Sequence, residues 1–144
     1  MNQYSDFAFV YDELMNEVDY DNWVKYIEDI IKSENVEVQN ILELACGTGN
    51  LTIPLTKKNY DIAGIDISEE MLQVAREKAE KENVELVLLE QDIVELDFDV
   101  TNLDCILCGC DGFNYITYDE DLEGVFTKCH ELLKENGIFI FDIS

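Results

Sequence analysis

Residues 38–50 read VQNILELACGTGN, and the fold is decided where Glu43-Leu44-Ala45-Cys46 runs into Gly47-Thr48-Gly49-Asn50. The run 38–45 is apolar enough for a buried strand. It ends in a turn whose small residues, at 45, 47 and 49, let a backbone come close to a ligand. A helix is expected over 49–58, and Pro54 sits early enough in it to be tolerated. Its free amides and dipole would point back at the strand end, where an anionic or polar group is favoured. A tight turn without a ligand is the plainer alternative for the glycines alone.

Working outward, strands and helices alternate. YDIAGID (60–66) reads as a second strand, and Ser68 caps a helix over 69–82 with Met71, Leu72, Ala75 and Ala79 inward. VELVLLE (84–90) and LDCILCG (103–109) read as strands three and four. A helix over 119–134 turns Leu122, Phe126, Cys129 and Leu133 inward, and Gly137 stops it before a fifth strand, IFIFDI (138–143). Upstream, 4–16 and 20–33 read as two helices; Trp23, Ile27, Ile30 and Ile31 share a face of the second, which Asp19 or Asp21 can cap. Strands apolar on both faces between helices imply an α/β fold: a doubly wound parallel sheet of about five strands, in the order 3-2-1-4-5, covered on both sides. The expected organisation is one domain over 1–144, with a helical cap (1–36) on an α/β core (37–144).

In such sheets ligands lie beyond the carboxyl ends of the strands. Glu43 closes the first strand. Asp66 closes the second, 19 residues beyond Gly47, where a carboxylate can accept both hydroxyl hydrogens of a ribose; a neighbour to the Ser68 cap is its alternative role. Asp92 follows the third strand and can accept from an adenine amino group with Ile93 against the ring. Gly109 to Asn114, a turn-rich segment, follows the fourth. The dinucleotide pattern G-x-G-x-x-G fails, because Asn50 or Thr52 stands where the third glycine belongs. No lysine follows the glycines as in a P-loop. Glu43 would repel a pyrophosphate and suits a ligand carrying positive charge.

ELACGTGN, then GIDIS-EEML, then QDI, a fourth strand and GIFIFDI together resemble a class I S-adenosylmethionine-dependent methyltransferase with its Rossmann-like sheet. The opening YSDFAFVYDELM and YDNW resemble the N-terminal helices of small bacterial members. The resemblance implies that Glu43, Ala45, Gly47 and Gly49 line the methionine part of S-adenosylmethionine. Asp66 would hold the ribose, Ile67 and Met71 pack near the adenosine, and Asp92 and Ile93 contact the adenine. Cys108 to Cys110 would lie beside the sulfonium. Tyr4, Tyr11 and Trp23 match aromatics that close over the cofactor, with helix packing as the alternative for Tyr11 and Trp23. Many members have glycine where this chain has Ala45.

Composition agrees with that class. The 144 residues are 47% apolar and 29% charged, globular proportions without a linker or repeat. No apolar run reaches membrane-spanning length, and the N-terminus lacks the basic start of a signal peptide. Against 9 Lys+Arg stand 33 Asp+Glu, a formal charge of -24, which disfavours nucleic acid as a partner. Five cysteines, an odd number, with no secretory signal point to reduced thiols and a cytoplasmic setting. Cys105, Cys108 and Cys110 lack a second ligand pair at zinc spacing and read as buried apolar residues.

The resemblance also implies about two further strands after the fifth, and often a substrate-binding insertion. The chain is therefore expected to be a fragment with the cofactor half complete, leaving 138–143 as an apolar edge able to self-associate. The expected function is methyl transfer to a small-molecule acceptor. A non-catalytic domain binding S-adenosylmethionine or a related nucleoside is the second reading; an NAD-dependent oxidoreductase is disfavoured by the failed fingerprint. Asp111 and Asn114 fall near the reacting centre without an assigned role, and His130, at the border of its helix's polar face and pointing away from the strand ends, is expected to be structural or at the surface.

Overall fold

The computed structural model describes residues 20–97, 100–108 and 119–141. The helix expected over 4–16 lies outside them with Tyr4 and Tyr11, as do Asp19, Cys110, Asp111, Asn114 and the end of the expected last strand.

In chain order the elements are α1 (Tyr20–Ser33), β1 (Asn40–Leu44), α2 (Thr52–Lys57), β2 (Asp61–Asp66) and α3 (Glu69–Lys81). Then come β3 (Val87–Glu90), a 3-10 turn (Ile93–Glu95), β4 (Leu103–Cys108), α4 (Asp119–Leu132) and β5 (Leu133–Phe141). Among the described residues the five strands form one sheet ordered β3-β2-β1-β4-β5, every pair parallel. This is the order expected from the sequence.

Alternation along β1 and β4 splits the core in two. Ile41, Cys105 and Leu107 face Val24, Ile27 and Ile31 of α1 and Leu51 and Leu55 around α2. Leu42, Leu44, Ile106 and Cys108 face the other way, onto Val125, Cys129 and Leu132 of α4. Cys105 and Cys108 thus point to opposite faces, and with Cys46 and Cys129 they are buried free thiols. A right-handed crossover puts α3 in the same layer as α2. Ser68 Oγ accepts from the Met71 amide at 3.2 Å, so the expected cap is present.

Several boundaries differ from the sequence reading, each for a local reason. β1 starts at Asn40 rather than 38, because the Gln39 and Asn40 amides both donate to Asp104 Oδ2, at 2.8 Å each. It stops at Leu44 because Ala45 has φ +54°. α2 begins at Thr52, not 49, and the Ile53 amide is already taken by the Gly49 carbonyl at 2.9 Å; the turn, rather than a set of free helix amides, faces the strand ends. β3 begins at Val87, not 84, because the Val84 amide folds back onto Ala79 O at 2.9 Å. It is also not covered on both faces: Val87 and Leu89, on one side of it, are 61% and 36% exposed.

The helix expected to run to 134 ends at Leu132. Leu133 is already in register with Leu103, and after an irregularity the pairing resumes at Cys105 and Ile138. Gly137 therefore does not stop the helix; it lies in that irregularity, where a Cβ would come within 3.0 Å of Lys134 O and 3.1 Å of Leu103 O. The inner stripe of α4 is Val125, Cys129 and Leu132, with Leu122, Phe126 and Leu133 only partly buried. His130 is exposed, as expected.

Candidate functional site

The turn after β1 is built from left-handed residues: Ala45 at φ +54°, Gly47 at +58° and Gly49 at +82°. Ala45 accepts a cost of about 1 kcal/mol that glycine would escape. Gly49 has no such option, since a Cβ there would also meet the Ala75 methyl at 3.2 Å. The Cys46 amide donates to Ile65 O at 2.9 Å, and the Gly49 amide to Cys46 O at 3.1 Å. The turn is thereby fastened to the end of β2.

Glu43, the penultimate residue of β1, is 3% exposed. Thr52 Oγ1 donates to its Oε1 at 2.6 Å; its other oxygen has no hydrogen-bond partner among the described residues. Burial, reinforced by the nearby Asp66 charge and only partly opposed by the Thr52 hydrogen bond, pushes the carboxyl up to about 8. A buried carboxyl with an open oxygen is stabilised in its ionised form by an arriving cation.

Asp66 performs the capping role that competed with ribose binding. Its Oδ2 accepts from the Gly47 amide at 2.8 Å and its Oδ1 from the Ser68 amide at 2.9 Å. The two roles are compatible, because a carboxylate has about four acceptor positions and the backbone amides of Ser68, Gly47 and Ile67 do not use them all. Burial raises its carboxyl despite these amides. Ile67 stands 67% exposed just past the strand end, while Met71 is buried. Asp92 Oδ1 accepts from the Val94 amide at 3.0 Å and so caps the 3-10 turn. Ile93 leans on the Leu42 side of the core, as Ala45 does.

The strand order brings Glu43, Ala45, Gly47, Gly49, Asp66 and Asp92 to the carboxyl ends of β1, β2 and β3. Beside them a cavity of about 580 Å³ opens between α1 and the ends of β4 and β5, lined by Trp23, Tyr26, Leu51, Leu107, Cys108 and Phe141 among others. Trp23 packs edge-on to Tyr26 with ring centroids 6.4 Å apart and also against the α1 core.

Sequence reasoning passed over Thr52, Gly64 and the group Thr48, Asn50 and Lys78. A Cβ on Gly64 would lie 2.8 Å from Cys46 Sγ and 3.0 Å from Leu88 Cδ2, so this glycine makes room for the residue under the turn. A lone glycine inside the apolar run 60–66 was the available signal.

The methyltransferase-domain family matches residues 41–137. A protein of Geobacillus sp. (strain WCH70), named as a methyltransferase, is 36% identical over 97% of this chain and 57% of its own length. YqeM of Bacillus subtilis (strain 168), also named as a methyltransferase, is 38% identical over 97% of this chain and 55% of its own. The crystal structure of an S-adenosylmethionine-dependent methyltransferase from Clostridium acetobutylicum superposes with a TM-score of 0.85 at 39% identity, over 99% of this chain and 58% of that one. The chain thus spans a little over half the length of the relatives it matches. The family match over residues 41–137 and the agreement with these relatives show that the chain belongs to the methyltransferase-domain family, whose cofactor is S-adenosylmethionine.

Proposed function

We propose that this chain is the cofactor-binding part of an enzyme that methylates a small molecule. The observation that carries the proposal is Glu43: an almost fully buried carboxyl with an open oxygen, next to a turn of left-handed residues that Asp66 braces. This donor set fits S-adenosylmethionine, which brings an ammonium and a sulfonium to the site, and it does not fit a pyrophosphate. When bound, the cofactor supplies an electrophilic methyl group.

In this reading Glu43, Ala45, Gly47 and Gly49 take the methionine part, and Asp66 accepts from the ribose through the acceptor capacity its backbone amides leave. Ile67 and Met71 flank the adenosine, and Asp92 and Ile93 take the adenine. Cys108, at the end of β4, borders the reacting centre, with Cys110 following it in sequence. Trp23 lines the neighbouring cavity, and Tyr11 would close over the cofactor from the N-terminal cap (1–36). The acceptor enters the cavity beside Trp23 and Phe141, whose apolar lining would exclude water. The excess of acids disfavours an anionic acceptor and a nucleic acid. Holding two reactants in line can lower the barrier of such a transfer by several kcal/mol.

No helix among the described residues is long and apolar enough to cross a membrane, and with four buried free thiols this supports a cytoplasmic setting. The edge position of β5 supports pairing with a further strand, from a second copy among other sources. Titration calorimetry with S-adenosylmethionine, S-adenosylhomocysteine and NAD tests the cofactor assignment: saturable binding of the first two is expected, and binding of NAD alone would overturn it. A methyl-transfer assay with small amines and phenols then separates an enzyme from a domain that only binds.

A further inference from the structure

The glycine turn is held from two sides, and only one of them is a strand end. Asp66 grips it at Gly47. On the other side stands Lys78, two turns into α3. Its Nζ donates to Asn50 Oδ1 at 2.6 Å and reaches Thr48 Oγ1 at 3.5 Å. The Asn50 amide group in turn donates to Thr48 Oγ1 at 3.2 Å. Thr48 is 1% exposed and Lys78 half-buried. The ammonium thus ties residues 48 and 50, which bracket the left-handed Gly49, to a helix that begins beyond β2.

Cations are scarce in a chain with 9 Lys+Arg and 33 Asp+Glu, and this one reaches the turn. Its 2.6 Å bond to Asn50 Oδ1 joins a charged donor to a neutral side-chain amide of the turn. A charged donor on a neutral acceptor holds more firmly than a neutral pair and fixes direction. Gly49 has the backbone freedom to take other shapes, so a tether on both of its neighbours selects one of them.

We propose that Lys78 is a positioning residue for the cofactor: through Asn50 and Thr48 it keeps the turn in the shape that receives the methionine part, without touching the cofactor itself. The proposal rests on the reading that this turn holds S-adenosylmethionine.

The test measures S-adenosylhomocysteine affinity by calorimetry, with melting temperature as a check on the fold, for the unaltered chain and for Lys78→Met, Lys78→Arg and Asn50→Ala. Loss of a charge-assisted hydrogen bond that preorganises the turn should weaken binding roughly tenfold in Lys78→Met. Lys78→Arg, which keeps a charged donor, should recover most of that loss. Asn50→Ala should weaken binding like Lys78→Met, and the double variant should be no worse than either single one, because the same tether is cut. Should Lys78→Met fail to fold, Asn50→Ala carries the test alone. Wild-type affinity in a folded Lys78→Met or Asn50→Ala protein would overturn the proposal, as would fully additive losses. An unaltered chain that does not bind S-adenosylhomocysteine would overturn the underlying reading and this proposal with it.

Discussion

Glu43 carries a prediction of definite sign. An unfolded glutamate ionises near 4.3, whereas the folded one is pushed up to about 8. Between those values the unfolded chain binds fewer protons than the folded one, so this residue lowers stability progressively as pH rises from about 4.3 to about 8. Glu43→Gln keeps an acceptor for Thr52 and has no proton to lose. In thermal melts without cofactor, the variant should gain on the parent chain as pH goes from 5 to 8.5. The same substitution should weaken S-adenosylmethionine binding, most clearly at the higher pH, where the parent carboxylate is ionised. Equal pH profiles for the two chains would remove the buried-carboxyl account.

Among the elements, β2 shows how closely the turn is packed from below. Gly64→Ala would press a methyl onto Cys46 Sγ and Leu88 Cδ2. Overpacking of this kind should cost about 1–3 kcal/mol in urea unfolding, and adding Cys46→Ala should return part of it, since one clash is with that sulfur. The sequence allowed the strands and their order to be read because apolar runs alternate with capped helices. Ser68 and the turn at 45–49 were legible for the same reason: each has a local chemical signature. What escaped were contacts between distant residues. Nothing at Lys78 indicates that its ammonium will reach Asn50, and nothing at Asp104 indicates that it will receive the amides opening β1, 65 residues away for Gln39. Gly137 misled because its usual meaning is a helix stop, whereas pairing of Leu133 with Leu103 ends α4 first.

At the scale of the molecule, the two ends of the sheet have separate tasks. At the amino end Asp104 gathers the Gln39 and Asn40 amides and the Lys134 ammonium, the last at 2.7 Å. Burial works to raise its carboxyl, but the Asn40 amide, Lys134 and the Gln39 amide together hold it below the usual carboxylate value. Its contribution is therefore complete above the unfolded carboxyl value and is lost as pH falls through the depressed folded one. Asp104→Ala should cost about 2–4 kcal/mol at pH 7 by leaving two amides unpaired. It should leave cofactor affinity unchanged, because the site is at the opposite end of the strands. Unfolding curves and calorimetry on the one variant check both statements.

The net charge of -24 acts on the whole chain. Self-repulsion of this size is screened by salt, so going from low salt to about 0.3 M should raise the melting temperature by roughly 2–5 °C, corresponding to about 1 kcal/mol. The central claim is that the turn after β1 and the carboxylates at the ends of β1–β3 form one cofactor site. Its most direct test is the amide NMR spectrum of the chain titrated with S-adenosylhomocysteine. The account predicts shifts concentrated at Gly47, Gly49, Ile67 and Asp92, with the Asp104 end of the sheet unmoved. An unperturbed spectrum, or shifts centred anywhere else, would contradict it.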